Sequence, residues 1–312
     1  MKKFFELVFV FFVGITALFG QRIDTVKLYE QSRKEALESA PGSWNKNTDN
    51  DSVKVAYNSR NKSSLKKATM FIFWGWNREG FSKSDIRFKG NGYDFTLHNI
   101  VAHDRPSPLS WDYVNPGKLS TPEFNFRYAY FLKDNLALVV GTDHMKYVMD
   151  QDQTARFTGQ ISDPTYAAMI KNGQVDLTDE QFLTFEHTDG LNYINAGLEK
   201  YKNILSKKNF DIFWAYGGGV GALMPKSNVK LFGNERSDRY HFAGFGLDAR
   251  TNINFVFWDH IMARVEGKFG YINMPDIKTT LNNKPDKASQ DFVFYQVNFG
   301  VGYVFNRKLN KN

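Results

Sequence analysis

Residues 293–305 read Val293-Phe294-Tyr295-Gln296-Val297-Asn298-Phe299-Gly300-Val301-Gly302-Tyr303-Val304-Phe305. Every odd-numbered position is apolar or aromatic, and the even-numbered ones are mostly small or polar. Successive side chains of a strand point to opposite faces, so this alternation predicts a strand with one apolar face. The stretch is long enough to cross a bilayer as a tilted strand, which takes about nine to eleven residues.

The same period recurs upstream. Ile261, Ala263, Val265, Gly267, Phe269 and Tyr271 alternate with Met262, Arg264, Glu266, Lys268 and Gly270. Phe245, Leu247, Ala249, Thr251, Ile253 and Phe255 alternate with Gly246, Asp248, Arg250, Asn252 and Asn254. Phe210, Ile212, Trp214, Tyr216, Gly218 and Val220 alternate with Asp211, Phe213, Ala215, Gly217, Gly219 and Gly221. Residues 191–201, 136–149, 124–131 and 68–78 complete a set of eight strands. Short links at 133–134, 203–208 and 257–259 alternate strictly with long ones at 79–121, 150–190, 223–240 and 273–290. That rhythm predicts an all-β fold, a closed antiparallel transmembrane β-barrel of about eight strands with tight periplasmic turns and long extracellular loops. Residues 84–88 and 93–97 flank Gly90-Asn91-Gly92, a hairpin signature. The hairpin is assigned to the first long loop; a ten-stranded barrel is the alternative.

Composition agrees with a barrel. Aromatic residues make up 16% of the chain and charged residues 23%, a combination that suits an apolar outer face around a polar lumen. There is no cysteine, so disulfides and thiolate metal sites are excluded. The net charge is +7, but Lys and Arg are scattered, which gives no nucleic-acid footprint. No metal-ligand spacing stands out, and no cofactor is expected.

Lys2 and Lys3, an apolar run from 4 to 19, and the small residues Ala17 and Gly20 predict a signal peptide over 1–20. Residues 21–66 read as a periplasmic leader. Its sequence predicts a helix over 24–39 ending at Pro41-Gly42, and then a stretch rich in Asn, Ser, Lys and Asp that reads as largely disordered. The barrel is expected over 67–306, with a short polar tail over 307–312. Together these features predict the outer membrane of a Gram-negative cell as the location.

The face opposite the apolar one carries charge. With a turn centred on Trp258, Arg250 falls opposite Glu266, Asp248 opposite Lys268, and Asn252 opposite Arg264. A turn centred on Asp134 puts Asn125 opposite Asp143, with Arg127 one step away. Opposite charges side by side stabilise each other, whereas a lone charge in a narrow lumen is costly. These pairs read as a polar core, because eight strands leave room for side chains and little else. A gated pore or proton-linked site is the alternative. Inward glycines such as Gly217, Gly219 and Gly221 leave either a cavity or room for the long Arg and Lys chains.

The alternation, signal, turn rhythm and aromatic end resemble the small outer-membrane barrels of the OmpA-transmembrane and OmpW type. Residues 299–305 look like the assembly signal read by the barrel-insertion machinery, here followed by residues 306–312. Residues 73–78, 141–147 and 185–193 look like segments of a group of barrel proteins from Bacteroidetes and related bacteria. The resemblance spans roughly residues 68–305. It implies outer-membrane lipid, lipopolysaccharide and the assembly machinery as partners, with a small ligand at the extracellular rim.

Some barrels of this size deacylate or acylate lipid A with a His and Ser or acid residues at the outer rim. The corresponding candidates are His144, Glu186, His187 and Asp189, with Asp143 nearby and His98, His103 and Asp104 in the first loop. A His held by a carboxylate suits a general base or a ligand. The other readings are a structural network tying the second long loop to the rim, and a scaffold displaying loops 79–121 and 150–190 for adhesion or recognition. The leading expectation is an outer-membrane barrel with a mostly filled polar lumen. It would serve as an envelope structural or ligand-binding protein, or as a narrow solute passage.

Overall fold

The computed structural model describes residues 64–107, 124–234, 240–280 and 285–305. The expected signal peptide, nearly all of the leader and the polar tail lie outside these residues. The described chain forms fourteen strands. They are β1 (Met70–Phe81), β2 (Ser84–Gly90), β3 (Tyr93–Ile100), β4 (Ala102–His103), β5 (Phe124–Lys133), β6 (Leu136–Met149) and β7 (Thr154–Ile161). Then come β8 (Gln174–Asp176), β9 (Leu183–Lys207), β10 (Phe210–Pro225), β11 (Asn228–Leu231), β12 (Gly244–Phe257), β13 (Ile261–Lys278) and β14 (Lys287–Phe305). One helical turn, Pro164–Ala167, is capped by the Asp163 side chain.

Eight of the strands form the wall in the order β1-β5-β6-β9-β10-β12-β13-β14. β14 then pairs with β1 from Phe305↔Met70 to Phe294↔Phe81, which closes an antiparallel eight-stranded barrel. The hairpin β2–β3 stays out of the wall: β2 pairs with the far end of β14, and β3 with β7. The ten-stranded alternative therefore does not form.

The barrel is inside-out relative to a water-soluble one. Ile194, Leu198, Val220, Phe269 and Val301 point outward and are 47–60% exposed. So do Phe126, Tyr128, Tyr130, Trp214, Tyr216, Tyr295 and Tyr303, giving an apolar and aromatic belt around the wall. A belt of this kind is stable only against lipid, and the closed ring leaves no unpaired backbone edge inside it.

The interior is layered, as β6 and β13 show. On β6, Ala137 and Val139 are followed by Asp143 and then by Met145 and Tyr147. On β13, Met262 is followed by Arg264, Glu266 and Lys268, and then by Ile272. The short-turn end is thus sealed by an apolar layer that includes Phe71, Phe73, Phe131 and Phe213. Leu65, just before β1, inserts into it at 1% exposure, and the Asp211 carboxylate accepts the Ser64 N–H at 3.1 Å. Charged groups fill the middle.

At the other end the wall strands run on past the belt and carry a cap. There β2, β3, β7, β8 and β11 pack with the ends of β6, β9, β13 and β14 around Phe88, Phe95, Phe182 and Phe185. This is why β9 runs over Leu183–Lys207, well beyond the 191–201 read from alternation. Above the belt both faces of a strand can meet protein, so the apolar-out signal ends before the strand does.

Candidate functional site

Charged side chains cluster in the middle of the lumen. Four cations (Arg127, Arg250, Arg264 and Lys268) meet four carboxylates (Asp143, Glu199, Asp248 and Glu266), all at most 9% exposed. Asp143 accepts hydrogen bonds from Asn125, Arg127 and Lys268, and from Asn195 at 3.1 Å. Arg264 holds Glu199 with two hydrogen bonds of 2.8 and 3.1 Å and also reaches Glu266. Arg250 grips Asp248 the same way, at 2.7 and 3.0 Å. Tyr193 donates to Asp248 at 2.9 Å, and Tyr201 to Glu199 at 2.6 Å. Two-pronged guanidinium–carboxylate pairs fix both partners in orientation as well as in charge.

The pairing differs from that expected at the β12–β13 turn. Phe257 pairs with Ile261 across the three residues 258–260, and Trp258 and Asp259 adopt φ of 51° and 66°. The turn centres on Asp259, not Trp258, and the register moves by two. Arg250 therefore faces Lys268, Asn252 faces Glu266, Asn254 faces Arg264, and Asp248 faces Gly270. The like-charged pair is tolerated because Arg250 turns to Asp248 on its own strand and Lys268 crosses the lumen to Asp143. At the other turn Asn125 does pair with Asp143, and Arg127 with Gly141.

Two of the inward glycines make room for these side chains. A Cβ on Gly141 would stand 2.8 Å from the Arg127 Cδ, and one on Gly219 2.6 Å from the Arg250 Nη2. Glu199 was absent from the expected set. Its signal was in the sequence: on β9 it is the charged inward position in the series Tyr193, Asn195, Gly197, Glu199, Tyr201.

The rim candidates do not assemble into one site. β6 and β9 are neighbours, with Tyr147 opposite His187 and Val148 opposite Glu186. His144 takes the outward side, where its ring stacks on Phe124 at 5.3 Å and Phe124 stacks on Trp74 at 4.8 Å. Its Nδ1 shares a 2.9 Å hydrogen bond with the Asn192 side chain. His187 points the opposite way, into the cap core beside Phe185 and Tyr147, with no exposed surface. Its Nδ1 is 2.8 Å from the Ser227 Oγ, itself only 1% exposed. Glu186, one residue along the strand, turns outward to Thr188, Asn228 and Arg105. The side chain of Asp189 lies outside the described part of the structure.

His187 stands on the part of β9 beyond the belt, and burial, with His241 nearby, pushes its pKa down to about 3. The ring is neutral when folded, whereas an unfolded chain protonates it near 6.5. The unfolded state thus binds the extra proton between those values, and stability falls as pH drops through that window. The contribution of His187 to cap stability should be constant above about pH 6.5 and shrink toward pH 3, at up to ~1.4 kcal/mol per pH unit. Urea midpoints followed by near-ultraviolet circular dichroism would show this slope, and His187→Gln should flatten it.

The other two loop histidines sit on the cap surface. His98 bridges the Asp85 carboxylate and the Thr158 hydroxyl, at 2.7 Å on each side. Burial works upward on Asp85, but hydrogen bonds from the Asn99 N–H and from His98 hold it below the ordinary carboxylate range. The order carboxylate, imidazole, hydroxyl is that of a general-base relay, yet here it lies along an open sheet face. His103 pairs with Asp150. No cluster suited to a metal ion occurs among the described residues.

No protein-family model matches the chain. No curated protein matches it either. Among solved structures it is similar to the outer membrane protein OprG from Pseudomonas aeruginosa, at 12% identity and a TM-score of 0.37, covering 78% of this chain and 98% of that one. It is similar to Neisserial surface protein A at 8% identity and a TM-score of 0.33, covering 77% and 100%. The attachment invasion locus protein of Yersinia pestis shows 12% identity and a TM-score of 0.30, covering 77% and 99%. At these values the likenesses add nothing to the geometry described above.

Proposed function

We propose that this chain is a non-conducting outer-membrane barrel of a Gram-negative envelope, which holds a folded recognition cap at the cell surface. The observation that carries this reading is the lumen: four cations and four carboxylates are packed together between two apolar layers. An eight-stranded barrel filled in this way has no passage for a solute. What remains accessible is the cap, an ordered body built from the long connections.

In this reading residues 1–20 direct export, and the end of β14 serves the insertion machinery. The short turns and the leader face the periplasm, while the cap faces outward among lipopolysaccharide. A depression of about 490 Å³ in the cap, lined by Thr154, Met169, Lys171, Gln174, Asp176 and Asp179, is the place for a small polar ligand. A lipid-modifying site at the rim has less support, because His144 and His187 face opposite sides of the wall. Single-channel recording in planar bilayers tests the proposal. The purified barrel is expected to be electrically silent, and discrete conductance steps abolished by its removal would refute the closed lumen.

A further inference from the structure

The belt carries an open groove. On the outer wall between β5 and β10, the small outward residues Thr142 and Ala196 stand among larger ones. Thr142 on β6 and Ala196 on β9 form the floor of a groove, with Phe126, Val140, Ile194 and Val220 as its sides. In register, Ala196 lies between Val140 and Val220, and Thr142 between Phe126 and Ile194, so each floor residue is flanked by larger side chains on the neighbouring strands. The volume is about 700 Å³, within the range of sites that bury a small molecule or a chain segment. Its lining is overwhelmingly apolar and opens directly to the lipid side.

At the cap end the groove becomes polar. Asn192 and Tyr240 close it there, and the Lys226 ammonium stands 6.0 Å from the centre of the Tyr240 ring. An apolar trough that ends at Asn192 and Tyr240, with the Lys226 ammonium beside the Tyr240 ring, matches an amphiphile that has a long chain and an anionic head. We infer that this groove seats an acyl chain of lipopolysaccharide, with a lipid A phosphate at Lys226. The inference rests on the proposed orientation, which places the cap in the outer leaflet.

Native mass spectrometry of the detergent-purified full barrel, with added lipopolysaccharide, tests it. One retained lipopolysaccharide per barrel is expected. Ala196→Phe, which fills the floor from outside the barrel, should weaken retention at least about tenfold, and Lys226→Glu should weaken it less. Unchanged retention in Ala196→Phe overturns the inference, as does retention of phosphatidylglycerol in preference to lipopolysaccharide. Heat-dependent gel migration of the same samples separates the two levels of the reading. A barrel that folds normally in detergent but retains no lipopolysaccharide removes the groove's occupant alone. A chain soluble without detergent removes the membrane reading with it.

Discussion

Glu199→Ala is expected to destabilise the barrel by about 3–5 kcal/mol, the typical result of stripping one partner from a buried ion pair. Glu199 accepts both prongs of Arg264, lies 3.8 Å from the Arg250 guanidinium, and accepts the Tyr201 hydroxyl. Removing it leaves four cations facing three carboxylates in a buried layer. The urea midpoint in detergent, followed by loss of the compact heat-modifiable band, measures the effect. Glu199→Leu combined with Arg264→Leu restores the balance of charge, and that pair should cost less than either single change. A double variant no better than the singles would mean that geometry, not charge balance, holds this layer.

Phe95→Ala should be nearly as costly, but its damage should stay in the cap. The ring is 1% exposed and touches Phe88, Phe157, Phe182 and Phe232 at centroid distances of 5.1 to 6.1 Å. Large-to-small changes at such positions cost about 3–5 kcal/mol through lost contacts and the cavity left behind. Limited proteolysis should therefore cut Phe95→Ala within β2, β3 or β7, while the wall keeps its heat-modifiable migration. Simultaneous loss of cap and wall would show that the two fold as one unit.

The wall was readable because lipid imposes a strict period of two. Residues 293–305 announce their own outer face, and both the closure of β14 on β1 and the eight-strand count follow from runs of that kind. The inward charges were readable for the same reason. Their partners were less so, because register depends on turn geometry: left-handed φ at both Trp258 and Asp259 moves every β12–β13 pair by two.

Glu199 could have been found from charge balance, since four expected cations with three expected carboxylates leave one cation unpaired. The cap was hardest to read. Above the belt, strands such as β7 and the first part of β9 are covered unevenly, and their alternation no longer reports a single environment. The histidine rim shows the same difficulty. The pairing of β6 with β9 does bring the segments of His144 and His187 together, with His144 opposite Asn192 and His187 opposite Tyr147, but the parity of their positions places the two rings on opposite faces.

The most direct test of a filled barrel with a lipid-facing belt uses the absence of cysteine in the native chain. Single cysteines at successive positions from 295 to 301 can each carry a nitroxide label in bilayer-reconstituted protein. Paramagnetic resonance with oxygen and with a water-soluble nickel chelate then reports the surroundings of each position. Positions 295, 297, 299 and 301 are predicted to be open to oxygen and closed to nickel, and 296 and 298 closed to both. Nickel access at 296 and 298 would contradict the filled lumen, and nickel access at the odd positions would contradict the membrane belt.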